Sequence, residues 1–198
     1  PRGLTALVDD RPARYAVIDV GTNSVKFHIG ERDGDGRWRT VVDRAEMTRL
    51  GEGLEQHQVI GDAALERTTA AIAGMVDEAK RHGALATVAV GTAGLRIASN
   101  RDAVLAAIEK RTGVGIEVIS GDEEGRLAYV AATSGLGLSA GSLVVFDTGG
   151  GSSQFTFGHD SSVDERFSVN VGAVRYTERY KLDGVVSAEV LRATMAAI

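Results

Sequence analysis

The sequence predicts an α/β protein built from two copies of one mixed-sheet unit that face each other across a cleft. Three observations carry this expectation. A strand–Asp–turn–strand pattern occurs at residues 15–30 and again at 143–158, and the copies align without a gap at an offset of 128 residues, Asp19 onto Asp147. Hydrophobic patterning reads β-β-β-α-β-α-β-α and then restarts as β-β-β-α. A run of small residues from Ser134 to Ser142 separates the two series.

Residues 1–13 hold both prolines and the charged run Asp9-Asp10-Arg11, and read as a flexible leader. Strands follow at 15–20, 25–31 and 37–43, with Asp33-Gly34-Asp35-Gly36 turning between the last two. The spacing of Leu65, Ile72, Met75, Val76 and Ala79 predicts a helix over 62–81, with Gly83 at its stop. A buried strand is expected at 86–90, running into Gly91-Thr92-Ala93-Gly94. Val104, Leu105 and Ile108 predict a helix over 101–111 that Gly113 ends. A strand at 116–119 precedes Ser120, which with Glu123 three residues on forms a capping box and opens a helix to about residue 133. The second hairpin follows the small-residue connector. A strand at 166–171, a helix at 172–180 and a last helix capped by Ser187 complete the series. These elements place one unit over 14–133 and the start of a second over 134–198. The boundary falls near 131–142, and the second unit reads as cut short.

Composition narrows the function classes. The 198 residues are 43% hydrophobic and 25% charged, as in an ordinary globular protein. No apolar run approaches the roughly 18 residues of a membrane-spanning helix, and no secretory signal is visible. There are no cysteines, which excludes disulfides, thiol catalysis and Cys-ligated metals. The four histidines are scattered singly. Together these features predict a cytoplasmic protein. A net charge of −5 and the lack of a basic cluster interleaved with aromatics argue against nucleic-acid binding. A polyanionic ligand would need a local basic lining.

Each hairpin has the chemistry of a phosphate loop. Gly21, Thr22, Asn23 and Ser24 in the first copy match Gly149, Gly150, Gly151 and Ser152 in the second. Gly supplies unusual turn dihedrals and lets backbone N–H groups approach an anion, which several inward N–H groups would cradle. Asp19 and Asp147, each ending a strand, are placed to hold a divalent cation that the same phosphates bind. Two ordinary β-hairpins would explain either copy alone. They explain two in-register copies poorly.

At this point the chain resembles the exopolyphosphatase/guanosine pentaphosphate phosphohydrolase (Ppx/GppA) family, within the actin-like ATPase (ribonuclease H-like) superfold. The stretches that carry the resemblance are Ile18-Asp19-Val20-Gly21-Thr22-Asn23-Ser24, Gly91-Thr92-Ala93-Gly94-Leu95-Arg96, Gly121-Asp122-Glu123-Glu124-Gly125-Arg126, Asp147-Thr148-Gly149-Gly150-Gly151-Ser152 and Val171-Gly172-Ala173-Val174-Arg175. They keep the family's order across residues 15–180. The resemblance implies hydrolysis of a terminal phosphoryl group from inorganic polyphosphate or guanosine pentaphosphate, with Mg²⁺ or Mn²⁺ in the cleft. It makes Glu124 the catalytic base, and Arg96, Asn23, Gly149, Gly150 and Ser152 the phosphate-holding groups. A homodimer is a compatible assembly.

The residues support these roles, since phosphoryl transfer depends on positioning and charge neutralisation. A Glu in a first helical turn beside bound anions can deprotonate water; it would equally complement the helix dipole. Glu123, Lys26 and Arg126 stand beside these groups with their roles left open. Gln154 departs from the family, which usually carries Glu there, and an amide is a poor Mg²⁺ ligand. That departure keeps open a polyphosphate- or alarmone-binding sensor with weakened chemistry. An actin-like ATPase is disfavoured, because no adenine-pocket segment can be identified.

Overall fold

The structure, a computed structural model, describes residues 12–136, 141–160 and 162–198. In chain order the first elements are β1 (Ala13–Val20), β2 (Ser24–Arg32), β3 (Trp38–Met47), α1 (Leu54–His57), α2 (Asp62–Arg81), β4 (Ala86–Gly91), α3 (Ala93–Ile97), α4 (Arg101–Thr112) and β5 (Ile116–Val118). They are followed by α5 (Gly121–Leu136), β6 (Ser142–Thr148), β7 (Ser153–His159), β8 (Ser162–Val169), α6 (Ala173–Tyr180) and α7 (Ala188–Ala196). Most of the expected leader lies outside the described residues, as do residues 137–140 of the connector; Ala13 already belongs to β1.

Five strands form a mixed sheet in the order β3-β2-β1-β4-β5, with β1 antiparallel to β2 and parallel to β4. Alternation along β1 puts Ala16, Ile18 and Val20 into the core and leaves Tyr15 and Val17 on the open face. On the core side Ile72 and Met75 of α2, which packs on β2, share one cluster with Phe27 and Ile29 of β2 and with Val104 and Ile108 of α4, all fully or almost fully buried. Each such side chain contributes about 1.5–3 kcal/mol by leaving water. α2 starts on Asp62 and ends on Lys80 and Arg81, charges that suit the two ends of the helix dipole. Leu65 and Leu105, expected inward, are only partly buried. β3 runs past its expected end at residue 43 because its ladder with β2 continues to Ser24 opposite Met47.

The second sheet is antiparallel, in the order β6-β7-β8. α5 lies across it and touches all three strands. The helix therefore groups with the second sheet by packing, although the small-residue connector follows it in sequence. Gly125 makes the approach close: a Cβ there would stand 2.8 Å from Thr156 Oγ1 and 3.5 Å from Gln154 Cβ. Only half of the expected capping box forms. Glu123 N donates to Ser120 Oγ at 3.1 Å, but the Glu123 carboxylate turns to Arg126. β8 begins at Ser162, earlier than expected, because the β7 ladder extends back to His159 opposite Ser162. Ser187 caps α7 as expected, accepting from Val190 N at 3.2 Å.

The sheet face opposite α5 carries Val144, Phe146, Phe155 and Phe167, with ring centroids 4.7 Å apart for Phe146–Phe155 and 5.1 Å for Phe155–Phe167. Val144, Phe146 and Phe167 stay exposed, as do Leu191 and Met195 on α7. No described helix is long and apolar enough to cross a membrane.

Candidate active site

Both hairpins are tied from behind by the chain that follows their third strand. Thr48 N and Arg49 N donate to Asn23 O at 3.1 and 2.8 Å, and Gly51 N donates to Thr22 O at 2.8 Å. In the second copy Ala173 N donates to Gly149 O at 3.0 Å, and Val174 N and Arg175 N donate to Gly150 O at 2.9 and 3.1 Å. With these carbonyls engaged outside, the Gly150 and Gly151 N–H groups, for which no partner is found among the described residues, are left for the cleft. Gly21 N and Gly149 N instead close their own turns, onto Ser24 O at 3.0 Å and Ser152 O at 2.9 Å.

The turns meet. A Cβ on Gly151 would lie 2.7 Å from Thr22 Oγ1 and 2.9 Å from Ala93 Cβ. Glycine is required there for close approach; none of the turn glycines Gly21, Gly149, Gly150 and Gly151 has a left-handed φ. That corrects the expectation of unusual dihedrals.

The two hairpins, α5 and the β4–α3 junction enclose one cleft of about 570 Å³. Asp19, Gly21, Thr22, Asn23, Ser24, Lys26, Glu124, Asp147, Gly149, Gly150, Gly151 and Ser152 all line it, so most of the expected site residues come together. Its apolar wall, formed by Leu127, Ala128 and Ala131 of α5 with Val90 and Ile119, was not among the expected site residues. The first three lie at helical spacing from Glu124, a signal that could have been found.

Arg96 does not line the cleft. It stands behind it, donating from Nη1 to Ile119 O at 3.0 Å and Glu124 Oε2 at 2.8 Å, and from Nη2 to Ser152 Oγ at 3.2 Å. Glu123 and Arg126 pair with each other at 2.7 Å on the surface, away from the cleft. Gln154 is 1% exposed. Its Nε2 faces Ser152 Oγ at 2.8 Å, Ser168 Oγ at 3.1 Å and Glu124 Oε2 at 3.3 Å. Ser168 is a member of this network that the sequence did not single out.

Two adjacent carboxyls are pushed in opposite directions. Burial raises the Glu124 carboxyl above its ordinary value; Arg96 pulls it back, and the negative charges of Asp19 and Asp147 push it up again. The hydrogen bond from Arg126 lowers Glu123. A largely buried carboxyl with a raised proton affinity is suited to accept a proton from water, and a salt-bridged surface one is not.

A cation fits this cleft. Three carboxylates and one ammonium line it, a balance hostile to a phosphate chain unless positive charge is added. Asp19 Oδ1 is buried and unpartnered among the described residues, while Oδ2 lies 3.4 Å from Lys26 Nζ. An orphaned carboxylate oxygen suits Mg²⁺, which takes one or two carboxylates and completes its shell with waters and phosphate oxygens. Among the described residues no three acidic or imidazole groups converge as a ready cage.

A model of the Ppx/GppA phosphatase family matches residues 28–198. Exopolyphosphatase 2 of Mycobacterium tuberculosis is 32% identical over 174 residues, which cover 84% of this chain and 54% of that protein. Guanosine-5′-triphosphate,3′-diphosphate pyrophosphatase of Vibrio vulnificus is 33% identical over 184 residues, 91% of this chain and 36% of that one. The crystal structure of an exopolyphosphatase-like protein superposes with a TM-score of 0.87 at 32% identity, over 94% of this chain and 59% of that one. The chain thus spans about half the length of such relatives, or less. With the family model matched over most of the sequence and a superposition at 32% identity, this mixed α/β chain belongs to the Ppx/GppA phosphatase family.

Proposed function

We propose that the chain carries the phosphate-gripping cleft of a metal-dependent hydrolase that releases terminal phosphate from inorganic polyphosphate. The observation that carries this reading is the convergence of two phosphate-loop turns and one largely buried carboxyl, Glu124, on a single cleft. The N–H groups of Gly150 and Gly151 and the Ser152 hydroxyl donate to the terminal phosphate. Glu124 accepts a proton from water as the water oxygen attacks phosphorus. The bond from phosphorus to the bridging oxygen then breaks, and the electron pair leaves on the shortened chain. Arg96 keeps the Glu124 carboxylate aimed and neutralises charge from behind. Asp19 and Asp147 would hold Mg²⁺ or Mn²⁺, which when bound neutralises phosphate oxygens and orients the chain.

Guanosine pentaphosphate presents the same terminal group and is the alternative substrate, in keeping with the name of the Vibrio vulnificus relative. The test is phosphate release from long-chain polyphosphate and from guanosine pentaphosphate, by this chain and by any longer parent, with and without a chelator. Release from polyphosphate that a chelator abolishes and Mg²⁺ restores is expected. Binding of either compound without turnover would identify a sensor instead.

A further inference from the structure

We infer that Gln154 is a positioning residue that fixes the direction of the Ser152 hydroxyl, making it an obligate hydrogen-bond donor into the cleft. The inference rests on the proposed phosphate site and goes beyond it, since Gln154 does not line the cleft. A serine hydroxyl has two lone pairs and one proton. Ser152 Oγ accepts from Gln154 Nε2 at 2.8 Å and from Arg96 Nη2 at 3.2 Å, which fills both lone pairs. Its proton has only the cleft side left, and Ser152, 2% exposed, lines the cleft beside the Gly150 and Gly151 N–H groups.

The amide's orientation is itself fixed. Its nitrogen faces three oxygens, those of Ser152, Ser168 and Glu124, and turning the amide over would set Oε1 against the Glu124 carboxylate. Burial and the packing of Gly125 against its Cβ leave the side chain no room to swing away. Preset donors cost no reorganisation when the anion arrives.

The test measures binding of an imido-bridged triphosphate, with Mg²⁺ at one fixed concentration, by calorimetry in a double-mutant cycle. Gln154→Met and Ser152→Ala should each weaken binding about tenfold, the scale of one hydrogen bond to a charged acceptor. The double variant should be no weaker than Ser152→Ala alone, because Gln154 acts through Ser152. Gln154→Leu repeats the arm if the Met variant does not fold. Gln154 variants that bind like wild type overturn the inference, as does a double variant whose losses multiply. Failure of the wild-type chain to bind the triphosphate overturns the proposed phosphate site itself.

Discussion

Glu123 and Glu124 are neighbours in sequence with opposite environments, and one hydrogen bond decides which is which. Arg126 reaches Glu123 on the surface, whereas Glu124 points into the cleft and meets Arg96 and Gln154. Burial holds the folded-state Glu124 carboxyl above its ordinary value of 4.5. The protonated form is thus favoured by folding. Its contribution to stability is full below that ordinary value and is lost as pH rises through the raised one. The base needs the ionised form, so activity gains over the same interval in which this contribution is lost. The pH profile of kcat/KM should therefore have an acidic limb above the ordinary glutamate range. A limb at or below 4.5 would contradict the burial argument. The candidate base was legible through the family resemblance, since by residue pattern alone a Glu in a first helical turn would equally complement the helix dipole. The position of Arg96 behind the cleft was not legible, because it depends on the carbonyl of Ile119 and the hydroxyl of Ser152, which only the fold brings together.

At the scale of elements, the hairpins, α2 and α4 were legible because each has a period long enough to read. α1 and α3 were not: they are four and five residues long, too short to show helical spacing. The grouping of α5 was also hidden, since a connector of small residues says where a chain bends and nothing about which sheet a helix covers. Gly125 is where that packing can be tested. Alanine is usually better than glycine inside a helix by about 1 kcal/mol. Here its Cβ would meet Thr156 Oγ1 at 2.8 Å, so Gly125→Ala should reverse the sign and destabilise by roughly 1–3 kcal/mol. Turnover should fall as well, because Glu124 precedes Gly125 on the same turn. Urea unfolding together with a turnover assay measures both. A stabilised and fully active variant would show that α5 is free to shift.

Across the whole molecule, the first sheet's loop and the second unit's α6 are joined beside the cleft. Glu55 of α1 forms an ion pair with Arg175 at 3.3 Å and accepts a hydrogen bond from Arg179, while Glu178 Oε1 accepts from Gly53 N at 3.0 Å. Glu55 and Arg175 are both largely buried. Removing the Glu55 charge leaves two guanidinium groups together, so Glu55→Gln should cost about 1.5–3 kcal/mol, the range for hydrogen bonds to charged groups. Urea unfolding at neutral pH would show it, and an unchanged midpoint would mean the two units are held by the hairpin contacts alone. None of these pairs has a sequence signature, since the partners are more than 100 residues apart. The duplicated hairpins showed two facing units, but not the polar clamp that fixes their separation.

The central claim is that Glu124 serves as the base in a cleft whose phosphate grip is built separately from the two turns. Comparing wild type with Glu124→Gln, for both turnover and binding of long-chain polyphosphate, tests it most directly. Hydrolysis should fall roughly 10²–10⁴-fold, the usual contribution of a positioned general base. Binding should hold or tighten, because one charge opposing the anion is gone, and Glu123→Gln should remain near wild type in both measurements. Wild-type turnover in Glu124→Gln, or turnover and binding lost together, would contradict the account.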